Sequence, residues 1–167
     1  MPATYPTRIV CLTEETTETL YLLGEEARIV GISGFTVRPP RARREKPKVS
    51  AFTSAKIEKI VELRPDLVLG FSDLQADIAA ELIRAGIEVH VFNHRSVAQI
   101  LRMIATLGAL VGCPAKAAHW GRCRICRGRR WSAPRWEDCA PESPAPGFGE
   151  GPGSLSPRSS RRAACAR

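Results

Sequence analysis

Short apolar runs alternate with amphipathic stretches over the first 112 residues, and this alternation constrains the fold more than any other feature. The apolar runs are short and rich in β-branched residues, as expected for strands buried on both faces. Four strands are predicted, at Arg8–Leu12, Arg28–Ile32, Leu67–Phe71 and Glu88–Phe92. A further short strand is predicted at Val49.

Helices are predicted between these strands from apolar periodicity and capping residues. They run from a Thr16 or Thr17 cap to Gly24, from Ser54 to Arg64, over Leu74–Ala85, and from a Ser96 cap to about Val111. Strict alternation of strands and helices implies crossover connections, and therefore an α/β fold with a mostly parallel sheet flanked by helices. Ligands bind such sheets at the carboxyl ends of the strands.

The composition changes abruptly near Ala118. Residues 119–167 contain ten Arg and no Lys, six each of Gly, Pro, Ser and Ala, and only one Ile, one Leu and no Val. Such a segment buries too little branched aliphatic surface to offset its ordering entropy, so it is predicted to be a disordered tail. Its composition is also that of a high-GC coding region translated out of frame, which favours a frameshift after about Ala118.

Most of the net charge of +8 belongs to this tail. Residues 1–118 carry 15 basic and 13 acidic residues, whereas residues 119–167 carry 10 and 4. The nearly neutral first part predicts no specific nucleic-acid partner, and a tail that binds nucleic acid non-specifically is a weaker alternative. Cys123 and Cys126 form a Cys-x-x-Cys unit without the second pair of a zinc site, so no metal site is predicted.

No targeting or membrane-spanning segment is expected from the sequence. The first eight residues lack the basic region and long apolar run of a signal peptide. No apolar run reaches the ~18 residues of a membrane span. The chain as written is therefore predicted to be cytoplasmic and not membrane-embedded.

An ordered series of stretches resembles a known family. The series consists of Arg8–Leu12, Thr17-Glu18, Leu23-Gly24, Ile29–Ser33, Pro39-Pro40, Ile57–Leu69 and Ala85–Val89. It is similar to the N-terminal lobe of the iron-siderophore and cobalamin substrate-binding proteins of ABC importers, and the cobalamin-binding branch is the nearer match. The passage Arg64-Pro65-Asp66 is its most specific element.

The resemblance implies one lobe of a two-lobed, helix-linked binding protein with its ligand in the cleft between the lobes. Residues 8–116 correspond to the first lobe and Pro114–Ala118 to the start of the linking helix, and no second lobe is recognisable. The implied partners are a corrinoid or iron-chelate ligand and an ABC permease, and the implied location is the periplasm. No cofactor is expected other than cobalamin as a bound ligand.

The family's cobalamin binders have aromatic residues in the cleft at the positions of Phe35, Phe52 and Phe71. Flat side chains bury a broad, partly apolar corrin ring well. The alternative for Phe52 and Phe71 is a place in the core. Arg38 is a candidate partner for a ligand carbonyl or carboxylate, and a solvated loop arginine is the alternative.

Three glutamates complete the predicted site. Glu14 and Glu15 are expected in a loop that faces the cleft. Glu58, in the first turn of a predicted helix, matches the glutamate with which the family docks onto permease arginines, and it also complements the helix dipole. His94, after the strand Glu88–Phe92, is interpreted as a hydrogen-bonded or solvent-exposed histidine.

Two other functions remain open at this point. One is a cytoplasmic α/β protein that acts on a small substrate through the loop Thr13–Glu18, and the other is a non-functional fragment. No activated nucleophile, Gly-rich phosphate loop or metal set accompanies that loop, so the chain is predicted not to be an enzyme.

Overall fold

Five strands form a single sheet in a computed structural model of the chain, which describes residues 4–126 and the side chains of residues 4–120. The strands are β1 (Ile9–Cys11), β2 (Ile29–Ser33), β3 (Lys48–Ser50), β4 (Leu67–Phe71) and β5 (Val89–Phe92). Their order is β3-β2-β1-β4-β5, and every neighbouring pair is parallel. The predicted α/β fold with a parallel sheet is therefore confirmed.

Helices cover both faces of the sheet. They are α1 (Glu14–Leu23), α2 (Ala42–Glu45), α3 (Ile57–Glu62), α4 (Ala76–Arg84), α5 (Val97–Leu110) and α6 (Pro114–Cys126), with 3-10 turns at Glu26–Arg28 and Asp73–Gln75. Successive strand residues point to opposite faces. Ile9 and Cys11 therefore join the apolar cluster under α1, α5 and α6, whereas Val10 and Leu12 join the cluster under α3 and α4.

None of the helices within residues 4–126 combines the length and the apolarity needed to cross a membrane.

The connection between α3 and β4 is held by Asp66. Its carboxylate accepts hydrogen bonds from the backbone N and hydroxyl of Thr7 at 2.7 and 2.9 Å and from the backbone N of Arg8 at 2.9 Å. The Arg8 guanidinium donates to the carbonyls of Leu63 and Arg64. Burial opposes ionisation of Asp66, but these hydrogen bonds hold its pKa below the ordinary value. The contacts join the start of β1 to the start of β4 at the centre of the sheet.

Helix α6 packs closely on α5 and α1. At Gly108 of α5, an added Cβ would lie 2.3 Å from the Cβ of Ala117, so the two helices approach at a point where only glycine fits. Lys116 Nζ and Trp120 Nε1 donate to the carbonyls of Leu23 and Leu22 at 3.0 and 3.1 Å, which satisfies orphan acceptors at the end of α1.

Helix α6 continues beyond residue 119, where the tail was predicted to begin. Residues 119–126, predicted as the beginning of a disordered segment, are helical, and Trp120 packs against the core cluster under α1, α5 and α6. The cause is the contact surface that α1 and α5 provide, which composition does not reveal. The remainder of the predicted tail, residues 127–167, lies outside the described residues.

Candidate functional site

The sheet order places a topological switch point between β1 and β4. From β1 the chain continues to β2 and β3 on one side, whereas β4 and β5 lie on the other side. In open parallel sheets a crevice forms at the carboxyl ends of the strands where the order reverses, and ligands bind there. In this chain Thr13 and Ser72, which follow β1 and β4, border that crevice.

Helix α1 begins directly after β1, so the polar loop predicted there is wrong. Thr13 is buried and takes the N-cap position in an extended conformation, and the helix begins at Glu14. The hydroxyls of Thr16 and Thr17 donate to the Thr13 carbonyl at 3.2 and 3.0 Å, so they bond within the first turn and neither is the cap. Glu14 and Glu15 therefore occupy the first helical turn, where carboxylates complement the positive end of the helix.

The two glutamates differ in their partners. Glu14 Oε1 accepts a hydrogen bond from the backbone N of Arg38 at 3.0 Å and lies 3.7 Å from its Nε. Glu15 Oε1 is buried and has no hydrogen-bond partner among the described residues. The structure thus brings Glu14 and Arg38 into contact on the β1 side of the crevice, and Glu15 follows Glu14 in the same helical turn.

Phe52 and Phe71 form an aromatic pair at the same edge of the sheet, with ring centroids 6.5 Å apart. The Phe71 ring also contacts the His94 ring, with centroids 4.7 Å apart, and the Arg95 guanidinium carbon lies 5.6 Å from its centroid. Both phenylalanines are half-buried. Each therefore packs on the protein and still offers surface to a ligand.

Exposed apolar side chains extend this surface. Four of the eight large apolar side chains that are exposed within residues 4–120 follow the carboxyl ends of β2, β4 and β5, namely Phe35, Val37, Leu74 and Val97. Phe35 has an exposed fraction of 62%. All four therefore follow strands at the edge of the sheet that carries Phe52 and Phe71.

Gln75 fixes the backbone beneath the aromatic pair, and the sequence analysis missed it. Its side chain is 1% exposed. Its Oε1 accepts from the Phe71 backbone N at 2.9 Å, and its Nε2 donates to the carbonyls of Phe52 and Leu12 at 2.9 and 3.4 Å. One amide thus joins the chain after β1, after β3 and at the end of β4. The only available signal was a polar residue at the start of a predicted helix.

A depression of about 270 Å³ lies next to Phe71, between β5 and α5. This β5–α5 depression is lined by polar side chains, those of His90, Asn93, His94, Gln99, Arg102 and Thr106, together with apolar ones. The Nδ1 atom of His94 is buried and has no hydrogen-bond partner among the described residues.

Glu58 lies apart from these groups in the chain, in the first turn of α3, and it is exposed. Helix α3 begins after Lys56, not at the predicted Ser54 cap.

Within the described residues, no three His, Cys, Asp or Glu side chains are grouped so that they could hold a metal ion.

Comparisons with known proteins agree with this architecture. Residues 9–122 match the family described as periplasmic binding protein. The cobalamin-binding protein of Halobacterium salinarum is 33% identical over 116 residues, which are 68% of this chain and 31% of that relative. The solved periplasmic vitamin B12 binding protein BtuF of Vibrio cholerae is 27% identical with a TM-score of 0.64, covering 72% of this chain and 48% of that one.

A periplasmic heme binding protein from Pseudomonas aeruginosa shares the fold, with a TM-score of 0.67 at 23% identity over 72% of this chain and 43% of that one. The chain spans less than half the length of each of these proteins. The resemblance predicted from the sequence is confirmed over the matched residues. Since the family match covers most of the described residues and more than half of the chain, this protein belongs to the periplasmic binding protein family.

Proposed function

We propose that the carboxyl edge of the sheet is one wall of a binding site for a corrinoid or an iron chelate. The observation that carries this proposal is the accessible Phe52–Phe71 pair beside the switch point, held from below by Gln75. Metal macrocycles are broad and partly apolar on their faces, and flat side chains bury such surfaces well. The cobalamin- and vitamin B12-binding relatives support a corrinoid.

On this proposal the chain is part of a substrate-binding protein of an ABC importer and acts in the periplasm. It holds the ligand non-covalently and catalyses no reaction. Exposed Glu58 docks onto arginines of the permease, because carboxylate–guanidinium pairs are directional and suit a transient contact.

The enzymatic alternative has no observation in its favour. Glu14 is paired with Arg38, and the hydroxyls of Thr16 and Thr17 donate to the Thr13 carbonyl. These groups are therefore engaged within the protein, in contacts that stabilise the start of α1.

The test is calorimetric titration of the full chain with cyanocobalamin and with ferrichrome as an iron-chelate probe. A wall that covers one side of a ligand leaves much of it in water while the association entropy is still lost. We therefore expect a dissociation constant of micromolar or weaker, which is about −8 kcal/mol or less favourable. Nanomolar binding would show that a second wall is present, for example from a second copy of the chain.

Replacing Phe71 or Phe52 with Ala should weaken this binding by roughly 1–3 kcal/mol, the range for losing a well-placed aromatic contact. Thermal unfolding of each variant controls for lost stability. The Glu58→Ala variant should bind as the parent does, because its proposed partner is the permease. If Glu58→Ala weakens binding and the two Phe variants do not, the site is on another face.

A further inference from the structure

The acidic and basic groups at the carboxyl edge of the sheet lie beside different strands. Glu14 and Glu15 follow β1, the central strand, and the Glu14 carboxylate is paired with Arg38. The β5 end has the β5–α5 depression, whose lining includes Arg102, His90 and His94 and no acidic side chain. Such a surface favours a ligand whose negative group points toward β5.

The cation at the β5 end is available to a ligand. Arg102 is exposed and forms no salt bridge with the other described residues. Arg95, which precedes α5, is by contrast paired with Asp73 at 3.1 Å. A guanidinium that is not paired with a carboxylate is a suitable partner for a planar oxygen anion, because its donors match that geometry.

A second group in the depression also lacks a partner. The buried Nδ1 of His94 has no hydrogen-bond partner among the described residues, and an imidazole N–H there would donate to an oxygen anion. The ring of His94 contacts the Phe71 ring, with centroids 4.7 Å apart. His94 therefore joins the aromatic pair to the depression, so one ligand could touch both.

The size of the depression fits an arm of a ligand. Its volume of about 270 Å³ is below the range of about 300–1,000 Å³ for pockets that enclose a whole small molecule. The body of the ligand must then lie outside it, on the adjacent aromatic pair.

We infer that the β5–α5 depression is a subsite for an anionic oxygen group on the periphery of the ligand, held by Arg102 and His94. This inference rests on the proposed function, which places the flat body of the ligand on Phe52 and Phe71. A carboxylate arm of an iron chelate and the phosphodiester of a cobalamin share the required chemistry.

The experiment compares matched ligands on the full chain. One pair is iron protoporphyrin IX and its dimethyl ester, which differ in two carboxylates. The other is cyanocobalamin and dicyanocobinamide, which lacks the nucleotide loop with its phosphodiester. In at least one pair, we expect the member that carries the anionic oxygen group to bind about tenfold tighter than its counterpart, the effect of one charge-assisted hydrogen bond. The pair that shows the difference identifies the source of the anion.

Arg102→Gln should abolish this preference and leave binding of the member without the anionic oxygen group unchanged, and Arg102→Lys should restore part of the preference. Arg84→Gln, which removes an exposed arginine on α4 outside the depression, is the matched control and should behave as the parent. Equal binding within both pairs, or equal weakening of both members by Arg102→Gln, overturns the subsite and leaves the proposed function intact.

If neither ferrichrome nor any of the four macrocycles binds, the proposed function fails, and titration with acetate alone decides the subsite. Saturable shifts of the His90 and His94 imidazole resonances with acetate, lost in Arg102→Gln, would retain an anion site in the depression. Acetate titration without such shifts would overturn it.

Discussion

The side chain of Gln75 makes hydrogen bonds to three backbone groups at the carboxyl edge of the sheet. The groups are the N–H of Phe71 and the carbonyls of Phe52 and Leu12. Apolar periodicity assigns a glutamine beside Leu74 to a solvated helix face, and nothing in the local sequence marks it as buried. The family resemblance points to Phe52 and Phe71, and their contact with a ligand stays a prediction. The side chain of Gln75, which bonds to the backbone of both, depends on long-range contacts that the sequence does not show.

Replacing Gln75 with Leu keeps a side chain of similar size but removes both hydrogen-bonding functions. The partly buried Phe71 N–H and Phe52 C=O groups would then lose their partners, at about 1–3 kcal/mol for each group left unsatisfied. Urea unfolding should show a free energy of unfolding lower by about 2–4 kcal/mol. Glu81→Leu, an exposed change on the adjacent α4, should remain within about 0.5 kcal/mol of the parent. A similar loss in both variants would contradict the role given to Gln75.

Elements with an unbroken apolar pattern were predicted well. Strand β4 has the predicted bounds, and α5 has the predicted Ser96 cap, whose Oγ accepts from the Gln99 backbone N at 3.3 Å. The start of α1 was wrong because Thr13, Thr16 and Thr17 offer equivalent caps in the sequence. The hydroxyls of Thr16 and Thr17 bond back to the Thr13 carbonyl, which places both residues inside the first turn. Helix α2 was missed because four residues are too few to show a helical period.

The contact between α5 and α6 depends on the absence of a side chain at Gly108. Gly108→Ala places a Cβ 2.3 Å from that of Ala117, so the helices must separate or shift. We expect a loss of about 1–3 kcal/mol in unfolding free energy, as for other overpacked sites, although alanine is the better helix former. Adding Ala117→Gly should recover part of the loss, because it removes the clashing atom. Gly108→Ala with unchanged stability would mean that α6 does not pack as described.

The two apolar clusters enclose the sheet so fully that Cys11, in the central strand, is inaccessible to solvent. Burial raises the pKa of its thiol from 9.0 to about 12. An unfolded chain releases this proton at lower pH than the folded chain does. The thiol therefore stabilises the fold fully below about pH 9, and that contribution is lost as the pH rises toward about 12.

From about pH 8 to about pH 10.5, this linkage should remove up to about 2 kcal/mol of unfolding free energy. Cys11→Ala should be less stable at the lower pH, because it leaves a small cavity, but should lose less on the change of pH. Urea unfolding at both pH values measures the difference. Parallel losses in parent and variant would exclude Cys11 as a source of the alkaline sensitivity.

The extent of the folded unit follows from α6. A chain ended after Cys126 keeps the contacts of Ala117 and Trp120, so we expect it to unfold at the same temperature as the full chain. A chain ended after Gly112 loses them, and its midpoint should fall by roughly 4–8 °C for each kcal/mol lost.

The disordered character predicted for residues 127–167 stays a prediction, and it requires early proteolytic cleavage at the arginines of that segment. A lower midpoint after removal of residues 127–167 alone would show that they stabilise the lobe.

Helix α1 has the crevice at one end and α6 at the other. Its first turn carries Glu14 and Glu15, and its last carbonyls accept hydrogen bonds from Lys116 and Trp120. Ten helical residues with a rise of about 1.5 Å each make a stiff rod about 15 Å long. Helix α1 thus connects two regions that are far apart in the sequence. One short element carries the acidic first turn at the crevice and the carbonyls that anchor α6, so the position of α6 is defined relative to the crevice through a single helix.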